Sequence, residues 1–269
     1  MLDNRYIENW SNWDSFEVRI HKNVERILTL LKENDTKATF FCLGWIAEKY
    51  PEVIKTISNE GFEVASHSHM HQLAYDQSRK QFTEDLVKSI HSLEQVTGKK
   101  VRAFRAPGFS LKEENKWVFE ILIEHGIEID CSIFPASRSH GGFKNFGVVK
   151  PCIVDISGAR IKEFPMNVRN IFNRRIIFSG GGYFRFFPLS FIQRWMNKSD
   201  YVMTYFHPRD FDPEQPRLPT LGPARTFRTY YGLNTCYHKI DTLLKTHKFI
   251  DLDAADKQMD WSDSPIKYL

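Results

Sequence analysis

A chain of 269 residues, 42% hydrophobic and 14% aromatic, is long enough to bury a substantial core as one large domain or two small ones. Its formal net charge of +4 comes from Lys and Arg scattered among acids with no basic block, which gives nucleic-acid binding no support and leaves a mildly anionic substrate open. No run of eighteen apolar residues and no basic-then-apolar leader occurs, so the chain as given is expected to be cytoplasmic and to have no membrane span. Cys42, Cys131, Cys152 and Cys236 stand far apart without a Cys-x-x-Cys pair, which argues against a zinc ribbon or redox motif and casts them as small apolar fillers.

Between Phe16 and Asp35, apolar residues recurring at three and four (Val18, Val24, Ile27, Leu28, Leu31) predict an amphipathic helix. The continuously apolar run 38–43 predicts a strand covered on both faces, and Pro51 opens a second helix that Gly61 stops. The next strand, Val64 to Ser66, runs into three alternating histidines, His67, His69 and His71. Helix over 82–96, strand over 101–104, helix over 113–125 and strand over 127–130 continue the alternation, which points to parallel β/α architecture, either a barrel or a doubly wound sheet. From about 135 to 188 the rhythm breaks into short β-prone pieces at 148–149, 153–156 and 176–178, set among Gly, Pro and Asn, as expected of a β-rich insertion. Helix over 191–197, a buried strand over 201–206, helix over 234–247 and a last strand over 249–252 follow. A single domain over 1–253 with a loosely held tail over 254–269 is expected.

In such folds functional groups collect at the carboxyl ends of strands, where the loops converge on one face. Four polar clusters fall there: His67 with His71, Arg105-Ala106-Pro107, Asp130-Cys131-Ser132, and His207-Pro208. Two imidazoles four residues apart can converge on one borderline metal ion if a turn lies between them. Each cluster also has a structural alternative: ordinary hydrogen-bonded histidines, a surface Arg105, a capping Asp130, a strand-end His207. The Gly180–Gly182 run allows close backbone approach or a turn at positive φ. Arg185 could meet a substrate carboxylate or phosphate or simply face solvent, and Phe109 and Tyr183 could stack on sugar rings or pack internally.

The chain resembles the polysaccharide deacetylases with the NodB homology domain, especially the branch found in exopolysaccharide gene clusters. The resemblance is carried by Ala38-Thr39-Phe40-Phe41 with Leu43-Gly44-Trp45, Ser66-His67-Ser68-His69-Met70-His71, Phe104-Arg105-Ala106-Pro107-Gly108-Phe109-Ser110, Asp130-Cys131-Ser132-Ile133-Phe134-Pro135, Gly180-Gly181-Gly182-Tyr183-Phe184-Arg185 and Phe206-His207-Pro208. These lie in family order across roughly residues 10 to 252. The resemblance implies a distorted (β/α)7 barrel and hydrolysis of the N-acetyl group of an N-acetylated saccharide with the help of a divalent metal, usually zinc. By it, His67 and His71 are the histidine ligands, His207 the general acid, Asp130 the carboxylate that orients His207, and Arg105 the tether of the catalytic base. It also makes Pro107 the stiffener of the Arg105 loop; Pro107, Phe109, Gly181, Tyr183 and Arg185 are the candidate substrate-binding residues.

The family pattern opens with a strand ending in an acidic motif that supplies both the base and the third metal ligand, and this chain lacks it. The segment that follows that motif in the family resembles residues 9–14, so the motif is expected just before Met1; Asp3, Glu8 and Asp14 have no β-prone run before them. An absent first strand would leave open barrel edges and invite self-association. Three readings follow: a deacetylase whose recorded start is internal and which is impaired as written, a non-catalytic carbohydrate-binding relative in a polysaccharide synthesis complex, or a small-amide amidohydrolase of the same fold.

Overall fold

Short parallel strands with helices between them carry the loops that matter. The computed structural model describes residues 17–136, 141–171, 174–218 and 221–269, so the expectations placed on residues 9–14 and on Asp3, Glu8 and Asp14 lie outside the described residues. Strands β1 (Thr39–Cys42), β2 (Glu63–Ser66), β3 (Ala103–Phe104) and β4 (Ile129–Asp130) pair in parallel in that order. The sheet continues through β6 (Ala159–Glu163), β5 (Cys152–Ile156) and β9 (Ile266–Tyr268).

The helices between the strands form for the reasons the sequence suggests. Pro51 sits in the first turn of α3 (Pro51–Asn59), where its missing N–H has no intrahelical partner to lose; α2 (Gly44–Lys49) precedes it, and α1 (Ile20–Glu33) opens the described chain. The long α4 (Arg79–Thr97) starts at a Ser78–Gln81 capping box and stops at left-handed Gly98. Its buried stripe runs Phe82, Leu86, Ser89, Leu93, with a serine where a leucine would complete the apolar pattern. α5 (Trp117–Glu124) follows and buries Val118, Phe119, Ile121 and Leu122 before β4. Small side chains from adjacent strands, Ala65, Ala103 and Ile129 with Cys131, pack against Phe164 and Leu252 to form the core beneath the sheet. Burial pushes the thiols of Cys42, Cys152 and Cys236 up to about 12, in keeping with inert cysteines.

The expected β-rich insertion is present. β5 and β6 form an antiparallel hairpin whose two turn residues, Ser157 and Gly158, both have positive φ, and a separate ribbon pairs β7 (Arg169–Ile171) with β8 (Arg174–Ile176). Residues 148–149 form no strand.

Three expectations are corrected. The run 201–206 is extended but forms only one bridge, Gly180 to Tyr205; the Met203 N–H is taken by the Asn167 side chain (2.9 Å) rather than by a neighbouring strand. The run 249–252 forms no ladder, because Leu252 N–H goes to Thr39 Oγ1 (2.9 Å) and Asp251 caps the helix α10 (Leu252–Gln258). Nor are residues 254–269 a loose tail: Asp256 binds Arg102 and Lys162, Trp261 packs edge-on against Phe164 at 5.4 Å, and β9 pairs with β5.

The chain divides into two compact units. The sheet unit comprises residues 37–177, 201–203 and 249–269, and the helical unit the rest. Beyond α1, the helical unit contains α6 (Gly181–Phe186), α7 (Leu189–Met196), α8 (Pro223–Tyr230) and α9 (Leu233–Thr246). A fork of bonds from Arg19 to Asp212 (2.6 and 2.8 Å) holds the start of α1 to the 208–212 turn. Among the described residues no helix is long and apolar enough to cross a membrane.

Candidate functional site

At the end of β2 the chain turns back over residues 67–71 through two left-handed residues without glycine, Ser68 at φ 71° and His71 at φ 58°. Such conformations persist where the surroundings over-determine them, and here they do. Asp85 on α4 accepts the N–H groups of His69 (2.7 Å) and Met70 (3.0 Å), one to each carboxylate oxygen. Ser89, the serine in the apolar stripe, donates to Ser68 O (3.0 Å) and touches Ser66 Oγ (2.8 Å). Ser68 Oγ in turn accepts the His71 N–H (2.9 Å), and the first N–H groups of α2 donate to Ser68 O and His69 O. Gly44 is required at that contact, since a Cβ would stand 2.5 Å from His69 Nδ1 and 2.7 Å from Ser89 Cα.

This footing sets the two outer histidines. The His67 N–H donates to Cys42 O (2.8 Å), and its Nδ1 lies 2.6 Å from Arg105 O. A carbonyl only accepts, so the proton is on Nδ1 and the lone pair on Nε2, the tautomer that a metal-binding imidazole needs. The rings of His67 and His71 lie 5.1 Å apart, centroid to centroid, at 69°. Two imidazoles sharing one tetrahedral ion through bonds of roughly 2.1 Å have centroids on the order of 5 Å apart, so this pair fits a divalent ion. Among the described residues no group of three His, Cys, Asp or Glu is arranged to hold an ion, which leaves two donors of a larger set. The middle histidine, His69, is buried; burial, joined by the Lys88 charge, lowers its pKa against the pull of Glu48 and favours the neutral ring.

The next two strand ends are tied to each other. Arg105, only 8% exposed, donates from Nε to Cys131 O (3.2 Å), lies 4.2 Å over the Phe41 ring and has no carboxylate partner among the described residues. The Ala106 N–H donates to Ser132 Oγ (2.7 Å), which donates to Asp130 Oδ1 (2.5 Å). Asp130 is fully buried and faces Glu163 across the β4–β6 register. Burial pushes both carboxyls up, and the Asp130 charge drives Glu163 well above the usual range, so Glu163 holds the proton they share. Glu163 Oε1 accepts the Ile133 N–H (3.2 Å), while Oε2 accepts no hydrogen bond. Pro107 opens a buried turn, and Phe109 is 5% exposed against Phe134 and Arg105, a packing residue rather than an open sugar platform.

In the helical unit, the carboxylate beside His207 is Asp210, whose Oδ2 accepts the His207 N–H (2.9 Å) and lies 3.5 Å from Nδ1. Burial raises the Asp210 carboxyl, but the His207 bonds and the Arg185 charge outweigh it and hold it below its ordinary value. Arg185 does not present itself to a substrate. It is 4% exposed, its Nε lies 3.0 Å from Asp210 Oδ1 off the line of a hydrogen bond, and its other nitrogens bind the carbonyls of Arg228, Thr229 and Tyr231. Gly181, at φ 53°, donates its N–H to Tyr205 O (3.1 Å), and the Gly180 backbone packs on the Tyr205 ring, so the glycine run serves that close contact; Tyr183 is exposed.

The structure therefore brings His67, His71, Arg105, Pro107, Phe109 and Asp130 into one network at the strand ends and His207, Gly181 and Arg185 into another in the helical unit. Sequence reasoning missed Asp85, Ser89, Glu163 and Asp210. Ser89 had a visible signal, a polar residue in a stripe that otherwise reads as helix core. Glu163 and Asp210 had none, since each stands among ordinary charged neighbours in sequence.

The family model for polysaccharide deacetylase matches residues 10–128, and a model described only as a domain of unknown function matches 131–257. Residues 10–128 thus belong with the polysaccharide deacetylase family. Among the relatives that this chain resembles, a peptidoglycan-N-acetylglucosamine deacetylase of Bacillus cereus is 33% identical over 96 residues, 35% of each chain. A peptidoglycan deacetylase of Helicobacter pylori is 30% identical over 110 residues, 41% of this chain and 36% of the relative. The chain thus spans about a third of the length of these curated relatives. A crystal structure from Mycobacterium smegmatis, assigned to the polysaccharide deacetylases, superposes over 92% of this chain and 80% of its own with a TM-score of 0.63 at 16% identity, which establishes the distorted (β/α)7 barrel as the fold.

Proposed function

We propose that this chain hydrolyses N-acetyl groups on a cell-surface or exopolysaccharide sugar, with a divalent ion, zinc in the first instance, held by His67 and His71. The observation that carries this reading is the His67–His71 pair itself: centroids 5.1 Å apart, with the His67 tautomer fixed by Arg105 O at 2.6 Å. When bound, such an ion supplies Lewis-acid polarisation of the acetyl carbonyl and an acidified water.

The chain's own groups do the remaining work. Asp85 and Ser89 keep the loop in its left-handed path, so neither imidazole has to reorganise on loading. Arg105 fixes His67 through its carbonyl, while its guanidinium supplies a buried positive charge at the same strand end. His207 is the candidate proton donor on the family resemblance alone; within the helical unit Asp210 accepts its N–H and stands beside its ring. Asp130, neighbour to protonated Glu163 and to Ser132, braces the Arg105 strand end.

The test is acetate release from the β-1,4-linked tetramer of N-acetylglucosamine with zinc supplied. Release by the parent chain that falls at least a hundredfold in both His67→Ala and His71→Ala supports the reading. Release unaffected by those substitutions overturns it. A chain that loads zinc and binds the tetramer but releases nothing is a non-catalytic carbohydrate binder, a reading favoured by one observation: Arg105 has no acid partner among the described residues.

A further inference from the structure

Within the helical unit a cleft of about 470 Å³ opens between the end of α6 and the start of α9. Its walls are Phe186, Pro188, Tyr230 and Tyr231, with the side chains of Asn234 and Thr235 at its rim and Lys239 below. It lies wholly within residues 131–257, the part of the chain matched only by a domain model of unknown function.

Two features set it apart from an ordinary surface dent. Its aromatic walls are open to solvent, Phe186 at 53% and Tyr231 at 46%, and Phe227, also exposed, lies tilted against Tyr231 at 4.7 Å, with Phe186 5.9 Å from the same ring. Three large rings left out of the core in one patch mark a surface kept for contact. The backbone that carries them is also rigidly held. Arg185, buried and neutralised by Asp210, binds the carbonyls of Arg228, Thr229 and Tyr231, while Lys239 Nζ binds those of Arg185 and Phe187 (2.9 Å each). Gly232, at φ 72°, completes the join, since a Cβ there would stand 2.8 Å from Arg185 O.

We infer that this cleft is a saccharide-binding subsite, taking pyranose rings of an N-acetylated chain on the faces of Phe186 and Tyr231. The chemistry favours a sugar over a peptide or lipid. Sugar rings present C–H faces that lie on aromatic rings and hydroxyls around their edge that need polar partners, and this cleft pairs exposed rings with Asn234 and Thr235 in its lining, the Thr235 hydroxyl donating to Gly232 O (3.2 Å) and keeping its acceptor lone pairs. The cationic groups in its wall are occupied by carbonyls and Asp210, so no anionic ligand is required. The identity of the sugar rests on the deacetylase reading above; the existence of the subsite does not.

The experiment is calorimetric titration of the full chain, stripped of metal with EDTA, with the N-acetylglucosamine tetramer. The parent chain is expected to bind; Phe186→Ala and Tyr231→Ala, both at exposed positions, each weaken binding about tenfold, and Tyr231→Phe retains it. Phe186→Leu keeps a bulky apolar side chain and should weaken binding as Phe186→Ala does, which separates loss of the ring from any loss of folding. Absence of binding by the parent chain, or binding indifferent to both ring removals, overturns the proposal. So does a concentration-dependent dimer that Phe186→Ala dissolves, because a second copy would then be the occupant. Ring-dependent binding without acetate release defeats the hydrolytic reading and leaves the subsite standing.

Discussion

At the end of β2, Asp85 and Ser89 bind only main-chain groups of the 66–71 loop and a neighbouring serine hydroxyl, and thereby fix where two imidazoles stand. In the helical unit the corresponding effort goes the other way: Arg185 and Asp210, the most chemically loaded pair there, bind each other and the surrounding main chain, and what they hold toward solvent is aromatic. The comparison separates residues that carry chemistry from residues that carry position. A histidine with a fixed tautomer belongs to the first kind; a buried, fully engaged arginine belongs to the second, however suggestive its place in a motif.

That contrast breaks first at Arg185. Arg185→Met leaves Asp210 as a buried carboxylate without its neighbouring cation and frees three carbonyls, so unfolding in urea is expected to lose about 3–5 kcal/mol; a loss under about 1 kcal/mol would mean the arginine is not structural and would reopen a substrate role. Next comes Asp85→Ala, which removes the acceptor for two N–H groups of a loop already in left-handed conformations. Roughly 2–3 kcal/mol of stability should go, and zinc affinity should fall by about 10- to 100-fold although neither imidazole is touched. Unchanged affinity in a folded Asp85→Ala chain would show that the loop needs no footing.

The smallest effect is one of pH. Glu163 has a folded-state pKa raised above its unfolded value, so between the two the native state holds a proton the unfolded chain has released, and stability declines as pH rises above about 4.5. Glu163→Gln keeps a donor toward Asp130 without that proton, so its stability should fall less steeply over the same window, the two slopes differing by at most about 1.4 kcal/mol per pH unit. Parallel stability curves would place the shared proton elsewhere.

Much of this was legible in the sequence because it follows from periodicity and from the restricted uses of Gly and Pro. Helices α1, α3, α4 and α5 with strands β1 to β4 follow their apolar spacing, and His67, Arg105 and Asp130 fall at strand ends as parallel architecture requires. What could not be read depends on where hydrogen bonds go. The run 201–206 has strand composition, yet Asn167 takes one of its N–H groups; the stretch 254–269 has tail composition, yet Trp261, Asp256 and β9 fasten it to the sheet unit. The orientation of Arg185 was likewise invisible, since the Arg228–Tyr231 carbonyls it binds lie more than forty residues away in sequence.

The measurement that bears most directly on the histidine loop as a metal centre is a calorimetric zinc titration of the parent chain and of the His67→Ala, His71→Ala double substitution. One zinc per parent chain and none in the double substitution is the predicted result. Zinc bound equally by both, or by neither, would contradict it.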